Sequence, residues 1–427
     1  MRRKLKIFLI TFSVVVLCGC AAILIIAAGR RNKPAAGGAA ATPVPTAPAA
    51  VVLSPDNNIP EGGAEGTPSA ALPTEELEPE PTKTPWPETA VKLGEGISAT
   101  KEYYTDTAEE GEVSFVFAGD ILFDRRYAVY AHYLQSGSLE NCISPELLEI
   151  MRSADVCMVN NEFPYSDRGT PEAGKQYTFR AEPSSVSLLQ GMGADIAGIA
   201  NNHAFDYGAD AFEDTLDTLE GAGIIPAGGG RNVEEASTPV YIYAADMKIA
   251  VIAASQIEQG GTIHSRPAGP DRSGLLRSWP EDNGTLDAIR RAKEECDVVI
   301  LAIHWGSENK VDQDWVQQKQ LPDFLAAGAD VIIGCHPHIL QKLDYSGEVP
   351  IVYSLGNYWF NSKSLDSCLV ELKLSGGGVK SLRFIPCRQS GCEVRLLHDA
   401  EAETLLDYMR GISPGVTIDG EGYVEKR

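Results

Sequence analysis

The sequence predicts an α/β fold with a mixed sheet over residues 111–400. Short buried apolar runs alternate in this region with amphipathic helical patterns, as is typical of α/β folds. Two predicted hairpins, turning near Asp246 and Gly377, add antiparallel strands and make the sheet mixed. Four predicted strands also end at polar residues suited to metal binding or proton transfer. In open α/β sheets, ligands gather at the carboxyl ends of the strands, so a site is expected there.

The predicted strands are short apolar runs that end at turn-forming or polar residues. They cover residues 113–118, 155–159, 196–199, 240–245, 248–254, 298–303, 331–333, 351–354, 368–374 and 379–385. The predicted helices have apolar residues at helical spacing and cover residues 184–192, 207–219, 286–295 and 315–327. Glycines after two of them, Gly221 and Gly328, indicate where those helices end.

The N-terminus predicts a membrane anchor. Residues 7–29 carry no charge, and as a helix they would span about 35 Å at roughly 1.5 Å per residue. We expect one transmembrane helix at residues 7–29 and a cytoplasmic head at residues 1–6. The rest would lie outside, as in a single-pass cell-membrane protein with an extracellular domain. A cleaved signal peptide, or a lipoprotein acylated at Cys20, is the alternative.

The region between anchor and domain, residues 30–110, is predicted to be a disordered linker. Twelve of the 26 prolines fall within residues 34–87, interleaved with Ala, Thr and Gly, and such a composition cannot bury a core. Residues 401–427 are assigned to a C-terminal tail. The formal net charge of −23 and the pI of about 4.7 argue against nucleic acid as a partner. The scattered cysteines predict no disulfide framework, and only Cys387 and Cys392 are close enough for a local bridge.

The polar residues at strand ends form a candidate metal site. They comprise two carboxylates, an amide and four imidazoles: Asp120, Glu162, Asn202, His203, His304, His336 and His338. The two carboxylates, the amide oxygen and three of the imidazoles suit one or two divalent ions of the Mn, Zn or Fe kind better than a thiolate-selecting ion. In extended backbone, His336 and His338 would face the same side and Cys335 the other. Cys335 is therefore expected to pack in the core, although ligation by its thiolate stays open.

Six segments occur in an order that resembles the CapA-like bacterial capsule-synthesis family, linked to poly-γ-glutamate biosynthesis and export. They are Phe117-Ala118-Gly119-Asp120, Asn161-Glu162-Phe163-Pro164, the run from Ala200 to Gly208, the run from Ile303 to Glu308, Gly334-Cys335-His336-Pro337-His338 and Tyr353-Ser354-Leu355-Gly356-Asn357. The family is similar to calcineurin-like metallophosphoesterases. The resemblance implies a four-layer α/β/β/α sandwich of metallophosphoesterase type.

The resemblance also implies roles for single residues. Asp120, Glu162 and His338 would hold one metal ion. The second ion would be held by Glu162 together with Asn202, His304 and His336. His203 would be the general acid, oriented by Asp206. The chain departs from ordinary metallophosphoesterases at Leu122, where they carry a histidine, and at Glu162, where they carry an aspartate.

Two functions follow from these features. One is a metal-dependent hydrolase of phosphoesterase type, acting outside the membrane on an envelope polymer or a phosphate-containing substrate. The other is a non-catalytic factor that binds or assembles the polymer, with other capsule-synthesis membrane proteins as partners. A purely structural domain leaves the histidines unexplained. Arg180 is a candidate contact for a substrate anion, because a guanidinium can grip carboxylate or phosphate with two bonds. A surface ion pair is the alternative for Arg180.

Overall fold

Strands and helices alternate through residues 86–257 and 266–427, which are the residues that this computed structural model describes. The predicted mixed α/β fold is confirmed. The strands are β1 (Val91–Lys92), β2 (Glu102–Tyr104), β3 (Glu112–Ile121), β4 (Val156–Asn161), β5 (Ile196–Gly198), β6 (Ile225–Ala227), β7 (Gly229–Gly230), β8 (Val240–Ala244), β9 (Met247–Ser255), β10 (Gly274–Leu275), β11 (Val298–His304), β12 (Val331–Cys335), β13 (Leu343–Ser346), β14 (Val349–Val352), β15 (Asn357–Trp359), β16 (Leu365–Ser375), β17 (Gly378–Ser390), β18 (Glu393–Leu396), β19 (Val416–Ile418) and β20 (Tyr423–Lys426).

The α-helices are mostly amphipathic and connect the strands. They are α1 (Ala128–Ser136), α2 (Pro145–Ser153), α3 (Ser187–Met192), α4 (Ala209–Gly221), α5 (Val233–Ser237), α6 (Thr285–Glu295), α7 (Trp315–Ala327) and α8 (Asp399–Ile412). Helix α7 has the predicted bounds because both of its ends are capped. Asp314 and Gln317 form a capping box at its start, and Gly328 ends it in the left-handed conformation.

Two large sheets carry the fold. The first has the strand order β1-β2-β8-β9-β11-β12-β14-β13, and the second has the order β19-β20-β17-β16-β3-β4-β5-β6. Strands β3, β4 and β5 run parallel in the second sheet, and β9, β11 and β12 run parallel in the first. The carboxyl ends of each parallel set meet at one edge of its sheet. The candidate site residues lie at these edges.

The buried apolar side chains form three clusters. One contains residues of both large sheets, such as Phe117 of β3 and Val251 of β9. A second joins β3 and β4 to α2, α3 and α4, and a third joins β9, β11 and β12 to α6 and α7. Each parallel set of strands is thus buried on both faces, which explains why these strands read as continuous apolar runs.

Both predicted domain boundaries require correction. The linker was expected to extend to residue 110, but β2 pairs with β8 and Tyr103 is fully buried in the core. Residues 401–427 are not a separate tail, because α8 buries Leu405 and Met409 and β20 pairs with β17. In both places a few large apolar residues within a polar stretch pack in the core. The average composition of the stretch is polar, so it does not reveal them.

Other predictions for the termini and the cysteines have different outcomes. The head at residues 1–6, the membrane helix at residues 7–29 and residues 30–85 of the linker lie outside the described residues. Among the helices that are described, none is both long and apolar enough to cross a membrane. Cys387 and Cys392 do not form the suggested bridge, since all seven cysteines in the described ranges are free and buried.

Candidate metal centre

Strand ends from both large sheets bring the predicted ligands together. Asp120 lies near the end of β3, and Glu162 follows β4 directly. His304 is the last residue of β11, and His336 follows β12. Gly119, next to Asp120, packs closely against the backbone at Gly356, and a Cβ at position 119 would overlap the Gly356 carbonyl oxygen.

One group of side chains consists of Asp120, Glu162 and His338. One donor atom from each lies within 4.8 Å of the others. Nδ1 of His338 is 3.0 Å from Asp120 Oδ2, and its Nε2 is 3.9 Å from Glu162 Oε1. Three donors at this spacing could hold one metal ion.

A second group shares Glu162 with the first and adds His304 and His336, again with donor atoms within 4.8 Å. Nε2 of His304 lies 3.6 Å from Glu162 Oε1 and 2.8 Å from Asn202 Oδ1. Nδ1 of His336 lies 3.0 Å from His304 Nε2. The structure therefore brings together the two ligand sets that the resemblance implied, with Glu162 common to both.

The Glu162 carboxylate is the strongest indication that a cation belongs here. Its side chain is fully buried, and neither oxygen has a hydrogen-bond partner among the described residues. Burial, reinforced by Asp120, raises the pKa of Glu162 well above its usual range. A buried carboxylate without a partner is costly. A divalent ion among these donors would remove that cost, and the carboxylate, amide and imidazole donors suit such an ion.

The histidines carry different protonation states around this carboxylate. Burial and the neighbouring imidazoles lower the pKa of His304 and His336, so both rings are neutral at neutral pH. Burial also opposes a charge on His338, but Glu162 and Asp120 outweigh it and raise its pKa to about 10. In the metal-free site the proton on His338 offsets part of this negative charge, and it would leave the ring when His338 binds an ion.

His336 and His338 reach the site by a conformation that the sequence did not predict. They do not lie in extended backbone, since their φ angles are +100° and +59°, in the left-handed region. Their rings nevertheless lie on the same side, with centroids 5.8 Å apart. Strained backbone of this kind persists where surrounding structure imposes it and is concentrated at functional sites. Cys335 packs in the cluster shared by the two sheets, as expected.

His203 lies beside the two groups and is held by other residues. Its Nδ1 is 2.7 Å from Asp206 Oδ2, and its Nε2 is 3.9 Å from Glu162 Oε1. Lys175 forms a buried ion pair with the other oxygen of Asp206 and donates to the Asn202 carbonyl at 2.5 Å. Burial lowers the pKa of His203 to about 4, against the opposing effect of Asp206. Asp206 therefore orients the ring, but it does not raise the pKa of the imidazole enough to keep it protonated in the metal-free protein.

Arg180 does not join the site. Its guanidinium stacks on the Tyr207 ring at 4.2 Å from the centroid, and its Nη1 donates to the Arg168 carbonyl at 3.3 Å. It lines neither of the two cavities that reach the histidines. Packing against Tyr207 fixes the position of the Arg180 guanidinium, and the sequence around Arg180 does not predict this packing.

The sequence interpretation missed three polar residues that shape the site. Asn160 donates to Asp120 Oδ1 at 2.6 Å and also lies 3.4 Å from His304 Nδ1, so it spans both groups. Asn357 Oδ1 lies 2.9 Å from His338 Nδ1, because β15 pairs with β3 at Asp120. Lys175 is the third. Asn160 directly precedes the segment that begins at Asn161, and Asn357 ends the segment that begins at Tyr353. Their positions beside these segments could have indicated a role in the site.

Two cavities open at the cluster. The tyrosine arm, about 400 Å³, is lined by Tyr127, Tyr177, Phe179 and Phe360 and reaches His203 and His338. The tryptophan arm, about 290 Å³, is lined by Gln256, Trp279, Asp314 and Trp315 and reaches His336. Glu308 lines both. The candidate centre is thus open to a ligand from two sides.

Leu122 occupies the position where ordinary metallophosphoesterases carry a histidine. Its side chain is buried and lines the tyrosine arm together with His338 and Asn357. We expect metal titration to resolve two unequal affinities, the Asp120 group being the weaker, and Leu122→His to tighten the weaker one. Isothermal calorimetry on both proteins measures this. Two equally tight ions in the parent protein would show that another donor, such as Asn357, already completes the position.

Comparison with known proteins gives relatives that include capsule-synthesis proteins. The chain is 29% identical over 286 residues to the PGA biosynthesis protein CapA of Bacillus subtilis, covering 66% of this chain and 72% of the relative. It is 27% identical over 288 residues to the capsule biosynthesis protein CapA of Bacillus anthracis, covering 65% and 68%. A probable polyglutamine synthesis accessory protein of Mycobacterium tuberculosis is 25% identical over 283 residues, covering 61% and 73%.

Similar solved structures are more distant. A hypothetical protein from Thermus thermophilus aligns with a TM-score of 0.39 and 14% identity, over 65% of this chain and all of that one. The 5'-nucleotidase of Candida albicans aligns with a TM-score of 0.34 and 9% identity, over 66% and 53%. These scores are too low to carry an argument about fold or function.

The family comparison is decisive. The model of the bacterial capsule synthesis protein PGA_cap matches residues 114–362, which is more than half of the chain. The candidate ligands, from Asp120 to His338, lie inside this range, and so do His203 and Asn357. The resemblance of the six segments is confirmed, and the chain belongs to the bacterial capsule synthesis protein family PGA_cap.

Proposed function

We propose that this chain takes part in the synthesis or export of an envelope polymer of the poly-γ-glutamate kind, through a metal centre of hydrolase type. Family membership and the names of the Bacillus relatives support the polymer. The buried carboxylate of Glu162, without a hydrogen-bond partner and shared by two donor groups, supports the metal centre. The bond hydrolysed would be a phosphate ester or an amide of the polymer or its precursor.

The residues divide the chemistry between them. Asp120, Glu162 and His338 would hold one divalent ion, and Glu162, Asn202, His304 and His336 the other. When bound, such ions activate water and neutralise charge that develops on the substrate. In hydrolysis, the hydroxyl of water adds to phosphorus or to the carbonyl carbon, and a proton must reach the leaving oxygen or nitrogen. His203 Nε2 faces Glu162 and the tyrosine arm, so it is placed to deliver that proton.

Asp206 and Lys175 support this role of His203. The Nδ1–H of His203 donates to Asp206, which fixes the tautomer and leaves Nε2 directed at the site. The ion pair with Lys175 holds Asp206 in turn. Burial lowers the pKa of the free imidazole to about 4, so in the metal-free protein Nε2 carries no proton and is free to take one up and pass it on.

A non-catalytic polymer-binding or assembly factor is the second candidate. The openness of the centre favours the hydrolase, because structural metal sites are closed whereas catalytic sites keep an accessible position. The test is to assay full-length, metal-loaded protein on small phosphate esters and on γ-glutamyl polymers. Hydrolysis of either supports the first proposal. Tight polymer binding with no hydrolysis, under conditions where metal is bound, would favour the assembly factor.

The layering belongs to the same proposal. The three apolar clusters support the α/β/β/α sandwich that the resemblance implies, because one contains both sheets and each of the others joins a sheet to helices. In that arrangement the centre lies where the carboxyl ends of both parallel sets meet. Single-pass anchoring by residues 7–29 would place this domain outside the cell, near other capsule-synthesis membrane proteins.

The predicted topology is directly testable. Protease added to intact cells is expected to release a soluble domain by cutting within residues 34–85, because an exposed Pro-rich linker is accessible to proteases. Mass spectrometry of the released fragment locates the cut. Protection of the whole chain in intact cells, with cleavage only after lysis, would place the domain inside.

A further inference from the structure

The two arms meet at the candidate metal centre and share Glu308. His338 lines the tyrosine arm and His336 lines the tryptophan arm, and the two rings are neighbours. The segment that carries Glu308 is fixed over them, because the Asn309 amide donates to the Pro337 carbonyl at 2.9 Å. The two arms therefore adjoin at Glu308, with the ligand cluster between them, and together they are called the cleft.

Both arms expose large aromatic surfaces at their mouths. Trp315 is 64% exposed, and its ring packs edge-to-face on Trp279 with centroids 5.5 Å apart. In the other arm Tyr177 is 55% exposed. Exposed aromatic side chains of this size are unfavourable in water and often mark binding sites. Each arm thus offers its own contact surface to a ligand.

One lysine lines the tyrosine arm and another lies beside the tryptophan arm, against Trp279, and neither has an ion pair among the residues in the described ranges. Lys363 is exposed and lines the tyrosine arm. Lys319 is exposed, and its Nζ lies 4.6 Å from the centre of the Trp279 ring. Most other lysines of the described domain are paired with carboxylates, in a protein of net charge −23. An anionic ligand would meet these two positive charges on opposite sides of Glu308.

We propose that the cleft holds an extended carboxylate-bearing chain across the metal centre, so that an internal linkage of the chain lies at the histidines. This inference rests on the proposed function and adds the binding mode. A site for chain ends would be walled on one side of the cluster, whereas here a cavity continues on both. The carboxylates contact Lys363 and Lys319, and the uncharged linkage between them passes Glu308, where a carboxylate would be repelled.

The test uses full-length protein in detergent and fluorescent poly-γ-glutamate oligomers of increasing length. Fluorescence anisotropy measures the affinity at about 0.15 M salt. The Debye length is then about 8 Å, so charges close to the bound oligomer dominate the electrostatic contribution. We expect affinity to rise with length until both arms are filled. Lys363→Glu and Lys319→Glu are each expected to weaken binding of long oligomers by roughly two- to five-fold, the range of exposed charge contacts.

Lys426→Glu is the control, although Lys426, unlike the two cleft lysines, pairs with the exposed Glu348. It makes the same change of charge on β20, outside both arms, and should leave the affinity unchanged. The proposal is overturned if affinity does not depend on oligomer length, or if the two cleft variants behave like the control. It is also overturned if a neutral oligosaccharide binds as tightly as the γ-glutamate oligomers.

Failure of this inference is distinguishable from failure of the proposed function. Hydrolysis of a small phosphate ester together with length-independent polymer binding would leave the metal centre standing and remove the cleft. Length-dependent binding that both lysine substitutions weaken, in a protein that binds no metal, would leave the cleft standing and remove the metal centre.

Discussion

Replacing His336 and His338 together with alanine is expected to remove nearly all divalent metal from the protein. Each imidazole belongs to a different donor group, so the double change leaves neither group complete. Asp120 and Glu162 then remain of the first set, and Glu162, Asn202 and His304 remain of the second, so each ion loses one of its imidazole donors. Elemental analysis of purified protein after extensive dialysis measures the loss.

Two other histidines provide controls for this loss. His398 is largely exposed, and His132 lies 3.2 Å from Glu393, outside the cluster. Alanine at either position is expected to leave the metal content unchanged. Circular dichroism should show that the double variant keeps its secondary structure. If it is folded and still holds as much metal as the parent, the assignment of both donor groups is wrong.

Changing His203 to glutamine is expected to slow hydrolysis by about 10²- to 10⁴-fold, the usual contribution of a general acid or base. Metal content should not fall, because His203 belongs to neither donor group. Glutamine keeps a polar side chain of similar size next to Asp206, so the fold should be retained. The rate is measured on whichever substrate the parent protein hydrolyses, with metal content determined on the same samples.

Asp206→Asn tests the origin of that effect. It leaves the imidazole in place but removes the charge that fixes its tautomer and pairs with Lys175. The rate should fall, by less than in His203→Gln. A His203→Gln protein that hydrolyses as fast as the parent would exclude His203 from proton transfer. Loss of polymer assembly in cells without detectable hydrolysis by the parent would favour the binding factor.

The sequence predicted the parts of this structure that depend on local pattern. Helix α7 was placed correctly because its apolar spacing starts at Trp315 and Gly328 marks its end, and the structure adds an N-terminal cap at Asp314. The convergence of Asp120 and His338 from positions 218 residues apart followed from a general property of parallel strands. Such inferences succeed because they need only the order of elements and the direction of strands.

The parts that depend on tertiary packing could not be predicted in the same way. His336 and His338 have left-handed backbone in the turn after β12. The prediction that their rings lie on the same side is correct, but the extended backbone from which it was drawn is wrong. Asn357 reaches His338 only because β15 pairs with β3. The Arg180 guanidinium stacks on the Tyr207 ring, and the spacing of residues in the sequence does not predict this contact.

The role of Glu162 is the centre of this account, and thermal unfolding of Glu162→Gln tests it most directly. Burial raises the pKa of Glu162, so ionising it as pH rises through that pKa costs folding stability in the metal-free state. Gln carries no charge, and metal-free Glu162→Gln should therefore melt at or above the temperature of the metal-free parent at neutral pH. Mn²⁺ at about 100 times its Kd should stabilise the parent by about 2.7 kcal/mol, and the variant by much less. An equal metal-dependent rise in melting temperature in both proteins would contradict the account, because Glu162 would then hold no metal.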